Sequence, residues 1–193
     1  MPTRGVTAHA QASPGRPAVV AGERVLSYGE LDRRSRRLAA ALAERGAGQD
    51  RPVAAVLPNG AEILEVATAA SMLGAPYLPV NWHLKADELA FILRDSGAGA
   101  VVTHRELAGR VRGAGAGPGG PALLVVGDDY EDAISAAPER PELAASSGPS
   151  FVFYTSGTTA RPKGVVHRRP DPAQAAAAQE GQVSLWWWSP DDV

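Results

Sequence analysis

The sequence of 193 residues contains no cysteine. This absence excludes disulfide bonds, thiolate zinc sites and any cysteine nucleophile. It is compatible with a reducing compartment. Two prolines and an arginine, moreover, interrupt the first twenty residues, where a secretion signal would need an unbroken apolar run: Pro14, Arg16 and Pro17. We therefore expect a cytoplasmic protein.

The sequence also lacks an apolar run long enough to cross a membrane. Its most apolar stretch, 61–80, is interrupted by two glutamates, a glycine and two prolines: Glu62, Glu65, Gly74, Pro76 and Pro79. We interpret it as a core helix followed by a strand. Neither sign of charge dominates, because the net charge is -2. This balance gives no indication of nucleic acid or an anionic membrane as a partner.

Lysine is almost absent. Lys85 and Lys163 are the only lysines among 19 basic residues. Each is thus retained in a chain that otherwise uses arginine. The compact ammonium group of lysine is not well replaced by arginine against a phosphate or in a tight loop.

What is present is an alternation of short apolar runs with amphipathic segments. Ser27 and Glu30 have the spacing of a capping box and predict a helix start. Gly46 predicts its end. The inward face of this helix is formed by Leu31, Ser35, Leu38 and Leu42. The arginines of "DRRSRRL" fall mainly on the other face, which we expect to be solvated and without a ligand.

Strand and helix patterns continue through the following residues. "PVAAVLP", "YLPV", "GAVVTH" and "ALLVVG" are typical of short buried strands, and helical patterns lie between the first three. This order predicts an α/β fold with a mainly parallel sheet flanked by helices. The length favours one domain over 1–193.

Two segments are less regular. The glycine-rich stretch 109–120 is predicted to be a flexible loop. A group of acidic residues follows the last of these strands and could be a metal or acid–base cluster, or could cap a helix and offset its dipole: Asp128, Asp129, Glu131 and Asp132. We favour the second interpretation, because acidic residues are common at helix starts.

Segment 151–167, "FVFYTSGTTARPKGVVH", carries the strongest functional signal. Between two β-forming stretches lie residues 155–164, rich in threonine, serine and glycine and containing Lys163. Hydroxyl groups, accessible backbone N–H groups and one ammonium group can surround a phosphate. The alternative is a polar hairpin turn, although this connection is longer than most turns require. The P-loop pattern does not match, because Pro162 precedes the lysine and Gly164 follows it.

The stretch "YTSGTTARPKGVVH" resembles the signature of the AMP-forming adenylating enzymes, usually [FY]-T-S-G-[ST]-T-G-x-P-K-G-V. Residues 26–104 resemble the start of the same family. Within it, "LGAPYLPVNWHL" is more similar to the acyl-CoA synthetases, particularly the fatty-acyl ones, than to peptide-synthetase adenylation domains. In the latter an aspartate commonly stands where this chain has Asn81.

The resemblance implies a two-step ligase. A carboxylic acid, fatty or related, attacks the α-phosphate of ATP, and the acyl-adenylate is captured by coenzyme A. Lys163 would supply charge to the loop or order it, and Mg²⁺ would arrive with ATP, with no protein ligand for the metal evident. The residues implied to bind the phosphates are Thr155, Ser156, Gly157, Thr158, Thr159, Lys163 and Gly164.

Two departures from the family pattern stand out. Ala160 occupies a position that is usually glycine, where a left-handed conformation would cost alanine about 1 to 2 kcal/mol. The resemblance also reaches only the N-terminal part of the large domain of such enzymes. The chain alone is therefore expected to be a truncated, catalytically incomplete form.

Near the end of the sequence stand Trp186, Trp187 and Trp188, each able to bury about 150 to 250 Å². A C-terminal remainder or a protein partner is expected to cover them. Two other functions stay open at this point. One is a non-catalytic nucleotide-binding or interaction module, or half of a split enzyme. The other is an amino-acid-adenylating domain.

Overall fold

The computed structural model describes residues 5–140, 150–155 and 163–167. Helices and strands alternate along most of them. The strands are β1 (Pro17–Ala21), β2 (Arg24–Ser27), β3 (Val53–Val56), β4 (Tyr77–Pro79), β5 (Ala100–His104), β6 (Ala122–Val126), β7 (Phe151–Thr155) and β8 (Lys163–His167). The helices are α1 (Val6–Ala12), α2 (Tyr28–Glu44), α3 (Ala61–Leu73), α4 (Ala86–Asp95), α5 (Ala108–Gly113) and α6 (Tyr130–Ala136).

Six of the strands form one sheet in the order β6-β5-β3-β4-β7-β8. The first five are parallel to one another, and β8 runs antiparallel to β7. β1 and β2 form a separate antiparallel pair. The prediction of a mainly parallel sheet flanked by helices is therefore confirmed.

β3 lies at the centre of the core and is buried on both faces. Val53 and Ala55 pack in one apolar cluster with α2, α3 and α6. Ala54 and Val56 pack in a second cluster with α4 and α5. Because successive strand residues point to opposite faces, a strand covered on both sides has no polar alternation. This explains why the run "PVAAVLP" is apolar throughout.

The predicted helix boundaries agree closely with the structure. The Ser27 hydroxyl oxygen accepts a hydrogen bond from the Glu30 backbone N–H at 3.2 Å, which caps α2. The inward face of α2 is buried as expected, at Leu31, Ser35, Leu38 and Leu42. α3 ends at Gly74, whose φ of 73° places it in the left-handed region that glycine adopts readily.

Segment 109–120 differs from the flexible loop predicted for it. Its first part lies in α5, and the buried residues Leu107, Val111 and Ala114 follow helical spacing. The second part is a turn in which Gly115, Gly117 and Gly119 have positive φ. The prediction of a loop is therefore wrong for the first part of the segment, where the glycine content concealed the helical period.

The arginine run of α2 is solvated only in part, because Arg33 is exposed whereas two of its neighbours are not. The side chains of Arg34 and Arg36 are only 16% and 8% exposed. Arg34 binds Glu65 and Glu131, at 2.8 and 2.7 Å, and Arg36 binds Asp32 at 2.7 Å. The polar flank of α2 packs against α3 and α6, whose carboxylates lie far away in the sequence.

Glu65 is the centre of this network, which we call the Glu65 cluster. Its side chain is fully buried and accepts hydrogen bonds from Arg24 at 2.8 Å, from Arg34 at 2.8 Å and from the Tyr130 hydroxyl at 2.7 Å. Burial, followed by the proximity of Glu65, raises the pKa of Tyr130 well above its usual value. The cluster therefore links β2, α2, α3 and α6.

The sequence pattern predicts no helix or strand before the helix that starts after Ser27. In the structure this part of the chain forms α1 and the β1–β2 pair. The Thr7 hydroxyl donates to Asp32 of α2 at 2.7 Å, which ties α1 to the rest of the fold. Within the described ranges, none of the helices has both the length and the apolar character needed to cross a membrane.

Gly99 allows the start of β5 to lie against the turn after α2. A Cβ atom there would lie 2.3 Å from the Gly46 carbonyl oxygen and 2.8 Å from the Ala47 Cα. We expect Gly99→Ala to lower the free energy of unfolding by about 1 to 3 kcal/mol, as overpacking does. Urea denaturation measures this. Gly109→Ala is the control, because no atom outside its own stretch of helix lies within 4 Å of a Cβ there, and it should be neutral or slightly stabilising.

Candidate phosphate-binding hairpin

The segment with the functional signal forms an antiparallel hairpin. β7 and β8 pair from Phe151 opposite His167 to Thr155 opposite Lys163. Thr155, Lys163 and Gly164, predicted to lie in the loop, therefore belong to the strands, and the connection narrows to 156–162. The other predicted phosphate-binding residues lie outside the described residues, as does Ala160: Ser156, Gly157, Thr158 and Thr159.

The hairpin is attached to the sheet over a short length. β7 pairs with β4 at one position, Phe151 with Tyr77. All five residues of β8 are exposed to solvent. The aromatic rings of Phe151 and Phe153 are stacked with their centroids 5.3 Å apart. The hairpin thus projects from the sheet edge, with residues 156–162 between its ends.

Lys163 is exposed at the mouth of this hairpin. It lies opposite Thr155 in the last pair of the two strands. Within the described part of the chain, no carboxylate lies within ion-pair distance of its ammonium group. An anion bound by residues 156–162 would therefore not have to displace a described carboxylate partner to reach this charge.

Tyr154 connects the hairpin to α4. Its hydroxyl donates a hydrogen bond to the Asp95 carboxylate at 2.7 Å. Partial burial, followed by this hydrogen bond, raises the pKa of Tyr154. No local pattern in the sequence indicates this contact, because Tyr154 and Asp95 are 59 residues apart.

The Tyr154 side chain also explains why position 164 is a glycine, which the sequence did not predict. Gly164 is the cross-strand partner of Tyr154. A Cβ atom on Gly164 would lie 3.0 Å from Tyr154 Cζ and 3.2 Å from its hydroxyl oxygen. The glycine therefore leaves room for the tyrosine ring. Its predicted contact with phosphate through the backbone remains a prediction.

Two of the four acidic residues near α6 have structural contacts. No described side chain caps the helix by a hydrogen bond, so the predicted cap is wrong, although Glu131 and Asp132 do lie in its first turn. Asp129 accepts a hydrogen bond from the Val125 backbone N–H at 2.7 Å, and Glu131 binds Arg34. Across residues 5–140, 150–155 and 163–167, no group of three or more histidine, aspartate or glutamate side chains is placed to hold a metal ion. That Mg²⁺ enters with the phosphates of ATP stays a prediction.

Asn81 follows β4 and shapes the turn that leads to α4. Its side-chain oxygen accepts a hydrogen bond from the His83 backbone N–H at 3.0 Å. The rings of Trp82 and His83 lie against each other with centroids 3.6 Å apart. An aspartate at position 81 could accept the same hydrogen bond. The asparagine is thus compatible with the local structure of either branch of the family.

Comparisons with known proteins indicate the family of this sequence. The family model described as AMP-binding enzyme matches residues 6–193. Surfactin synthase subunit 3 of Bacillus subtilis is 33% identical over 153 residues, which are 79% of this chain and 12% of that protein. Novobiocin biosynthesis protein H of Streptomyces niveus is 33% identical over 162 residues, 79% of this chain and 26% of that protein. The chain thus spans a minor part of these relatives.

Solved structures show the same architecture. A fatty acyl CoA synthetase of Mycobacterium tuberculosis matches with a TM-score of 0.70 and 28% identity, over 84% of this chain and 33% of that one. A benzoate CoA ligase of Burkholderia xenovorans matches in fold, with a TM-score of 0.75 and 23% identity. The match covers 97% of this chain and 37% of that one. Since the family model matches nearly the whole sequence, the chain belongs to the AMP-binding enzymes, a family of adenylate-forming proteins.

Proposed function

We propose that the protein is an ATP-dependent acid–thiol ligase that activates a carboxylic acid and transfers it to coenzyme A. In the first step a carboxylate oxygen attacks the α-phosphorus of ATP, and the bond to the β-phosphate oxygen breaks to release pyrophosphate. In the second step the thiol sulfur attacks the acyl carbon of the adenylate. AMP leaves, and the thiol proton passes to solvent or a base.

One observation carries this proposal: the signature segment lies on a hairpin with its exposed lysine at the mouth. The hairpin strands fix the two ends of the connection 156–162. Within that connection, the hydroxyl groups of Ser156, Thr158 and Thr159 and the backbone N–H group of Gly157 are suited to phosphate oxygens. Thr155 and Lys163 complete this set from the two strands.

In this reaction the main role of the protein is to position charged groups. The carboxylate and the triphosphate are both anions and repel each other, so their encounter must be held by donors fixed in advance. Charge builds on the leaving pyrophosphate, and Lys163 would stabilise it there. Mg²⁺, bound to the phosphates, would supply further neutralisation.

The acceptor thiol is the least constrained part of the proposal. The likeness to the fatty acyl CoA synthetase supports coenzyme A. The identity with surfactin synthase supports the second candidate, an amino-acid-adenylating domain that transfers to a carrier. Both candidates share the adenylation step, and they differ in the acid and in the thiol.

Product analysis separates the two. The full-length product of the gene is incubated with ATP, Mg²⁺ and either fatty and aromatic acids or the amino acids. The acceptor is coenzyme A in one series and a phosphopantetheinylated carrier protein in the other. Our proposal predicts an acyl-CoA thioester in the first series, identified by mass spectrometry. Aminoacyl thioesters formed only on the carrier would instead establish the second candidate.

A further inference from the structure

We propose that Tyr154, held by Asp95, is a positioning residue that fixes the hairpin stem at the Thr155–Lys163 pair and thereby the position from which Lys163 would reach the phosphates of ATP. The inference rests on the proposed function, because it assigns Tyr154 a role in ATP binding. Tyr154 is not assigned a contact with ATP. It acts through the two strands, at the Thr155–Lys163 pair.

The Tyr154 side chain contacts both strands of the stem and an element outside it. Tyr154 belongs to β7, and its ring covers Gly164 of β8. Its hydroxyl reaches past the hairpin to Asp95 in the last turn of α4. Rotation of the hairpin about its attachment at Phe151 would break the hydrogen bond to Asp95.

The stem has little other support near the connection. Backbone pairing with β4 occurs at Phe151, at the far end of β7. Phe153 is 39% exposed, and Val165 and Val166 are 44% and 56% exposed. Tyr154 is half-buried and packs against the apolar cluster beneath α4 and α5. It is therefore the described side chain that fixes the stem next to the Thr155–Lys163 pair.

The contact between Tyr154 and Asp95 is of a strong and directional kind. A phenol hydroxyl that donates to a carboxylate makes a charge-assisted hydrogen bond, which is stronger than a neutral one. Binding a triphosphate requires several donors at fixed positions. Small displacements of those donors weaken all of their hydrogen bonds together. Removal of the Tyr154 hydroxyl should therefore weaken ATP binding more than it lowers the stability of the fold.

The test uses Tyr154→Phe in the full-length product of the gene, which retains the ring over Gly164 and removes only the hydroxyl. ATP with Mg²⁺ is the probe, its Kd is measured by isothermal titration calorimetry, and Tm is measured alongside. We expect Kd to rise about 3- to 10-fold, less than the loss of a direct hydrogen bond to a charged group would give, because the hydroxyl acts on ATP only through the strands. Tm should fall only slightly.

The matched control is Tyr130→Phe. Tyr130 makes a hydroxyl–carboxylate bond of the same 2.7 Å length, to Glu65, in the buried interior away from the hairpin. We expect this variant to lower Tm more than Tyr154→Phe does and to leave the Kd of ATP unchanged within about twofold. A larger rise of Kd in Tyr154→Phe, together with a larger fall of Tm in Tyr130→Phe, distinguishes positioning from general stabilisation.

Asp95 provides a second, independent variant. Asp95→Asn retains an oxygen that can accept from Tyr154 and should recover most of the affinity, whereas Asp95→Ala should match Tyr154→Phe. The double variant Tyr154→Phe with Asp95→Ala should bind ATP no more weakly than either single variant, because both remove the same contact.

The outcomes are distinguishable. Equal Kd values for the wild type, Tyr154→Phe and Asp95→Ala would overturn the inference, and so would losses of affinity that follow Tm in all variants. If the wild type binds no ATP at all, the proposed function fails, and the role of Tyr154 in ATP binding fails with it. Weaker binding confined to Tyr154→Phe and Asp95→Ala supports both.

Discussion

Lys163→Ala should lower kcat/KM for ATP about 10- to 150-fold, measured in the full-length enzyme at saturating acid. The expected range corresponds to the loss of a charge-assisted hydrogen bond to phosphate, about 1.5 to 3 kcal/mol. Stability should change little, because Lys163 is exposed and has no carboxylate partner among the described residues.

Two further variants control this prediction. Lys163→Arg retains the positive charge but replaces a compact ammonium by a planar guanidinium, so partial activity is expected. Lys85→Ala removes the other lysine, which precedes α4, and should leave kcat/KM within about twofold of the wild type. A Lys163→Ala variant with wild-type kcat/KM would show that the exposed lysine does not act on ATP.

Glu65→Ala should lower the free energy of unfolding by about 3 to 5 kcal/mol, the cost of removing one partner from a buried ion pair. Glu65 is fully buried and accepts hydrogen bonds from Arg24, Arg34 and Tyr130. Without its carboxylate, the Tyr130 hydroxyl loses its partner and Arg24 and Arg34 lose one each. Urea denaturation followed by circular dichroism measures the change.

The neighbouring glutamate is the control for the Glu65 cluster. Glu62 also binds Arg24, but its side chain is 23% exposed and that of Arg24 is 35% exposed. Exposed pairs contribute about 1 kcal/mol or less, so Glu62→Ala should be mild. If Glu65→Ala is equally mild, the cluster does not hold β2, α2, α3 and α6 together as we describe.

The central sheet could be predicted from the sequence because its strands are short, apolar and bounded by glycine or proline. β3 and β5 are buried on both faces, so their composition alone distinguishes them from surface segments. The capping contact at Ser27 and the left-handed Gly74 are local features, formed by residues close in sequence. Local physical chemistry sufficed for these elements.

Contacts between distant residues could not be predicted in this way. Arg34 meets Glu65 and Glu131, which are 31 and 97 residues away. An arginine that will be buried against a carboxylate looks, in the sequence, like one on a solvated face. The helical period of α5 was concealed for a different reason, because glycine makes up part of the helix.

The candidate site contains both kinds of feature, those set by local sequence and those set by contacts between distant residues. Its residue types and their spacing, which are chemically unusual, predict phosphate binding, and this stays a prediction. That Thr155, Lys163 and Gly164 lie in strands, and that Tyr154 is bonded to Asp95, follow from the hairpin and its packing. The expected covering of Trp186, Trp187 and Trp188 concerns positions outside the described residues and stays a prediction.

The most direct test of the account is the exchange of labelled pyrophosphate into ATP, catalysed by the full-length product of the gene. Reversible formation of an acyl-adenylate predicts exchange that requires a carboxylic acid and Mg²⁺ and that falls strongly in Lys163→Ala. Coenzyme A should not be needed for it. A folded protein that gives no exchange with fatty, aromatic or amino acids would contradict the claim that it forms acyl-adenylates.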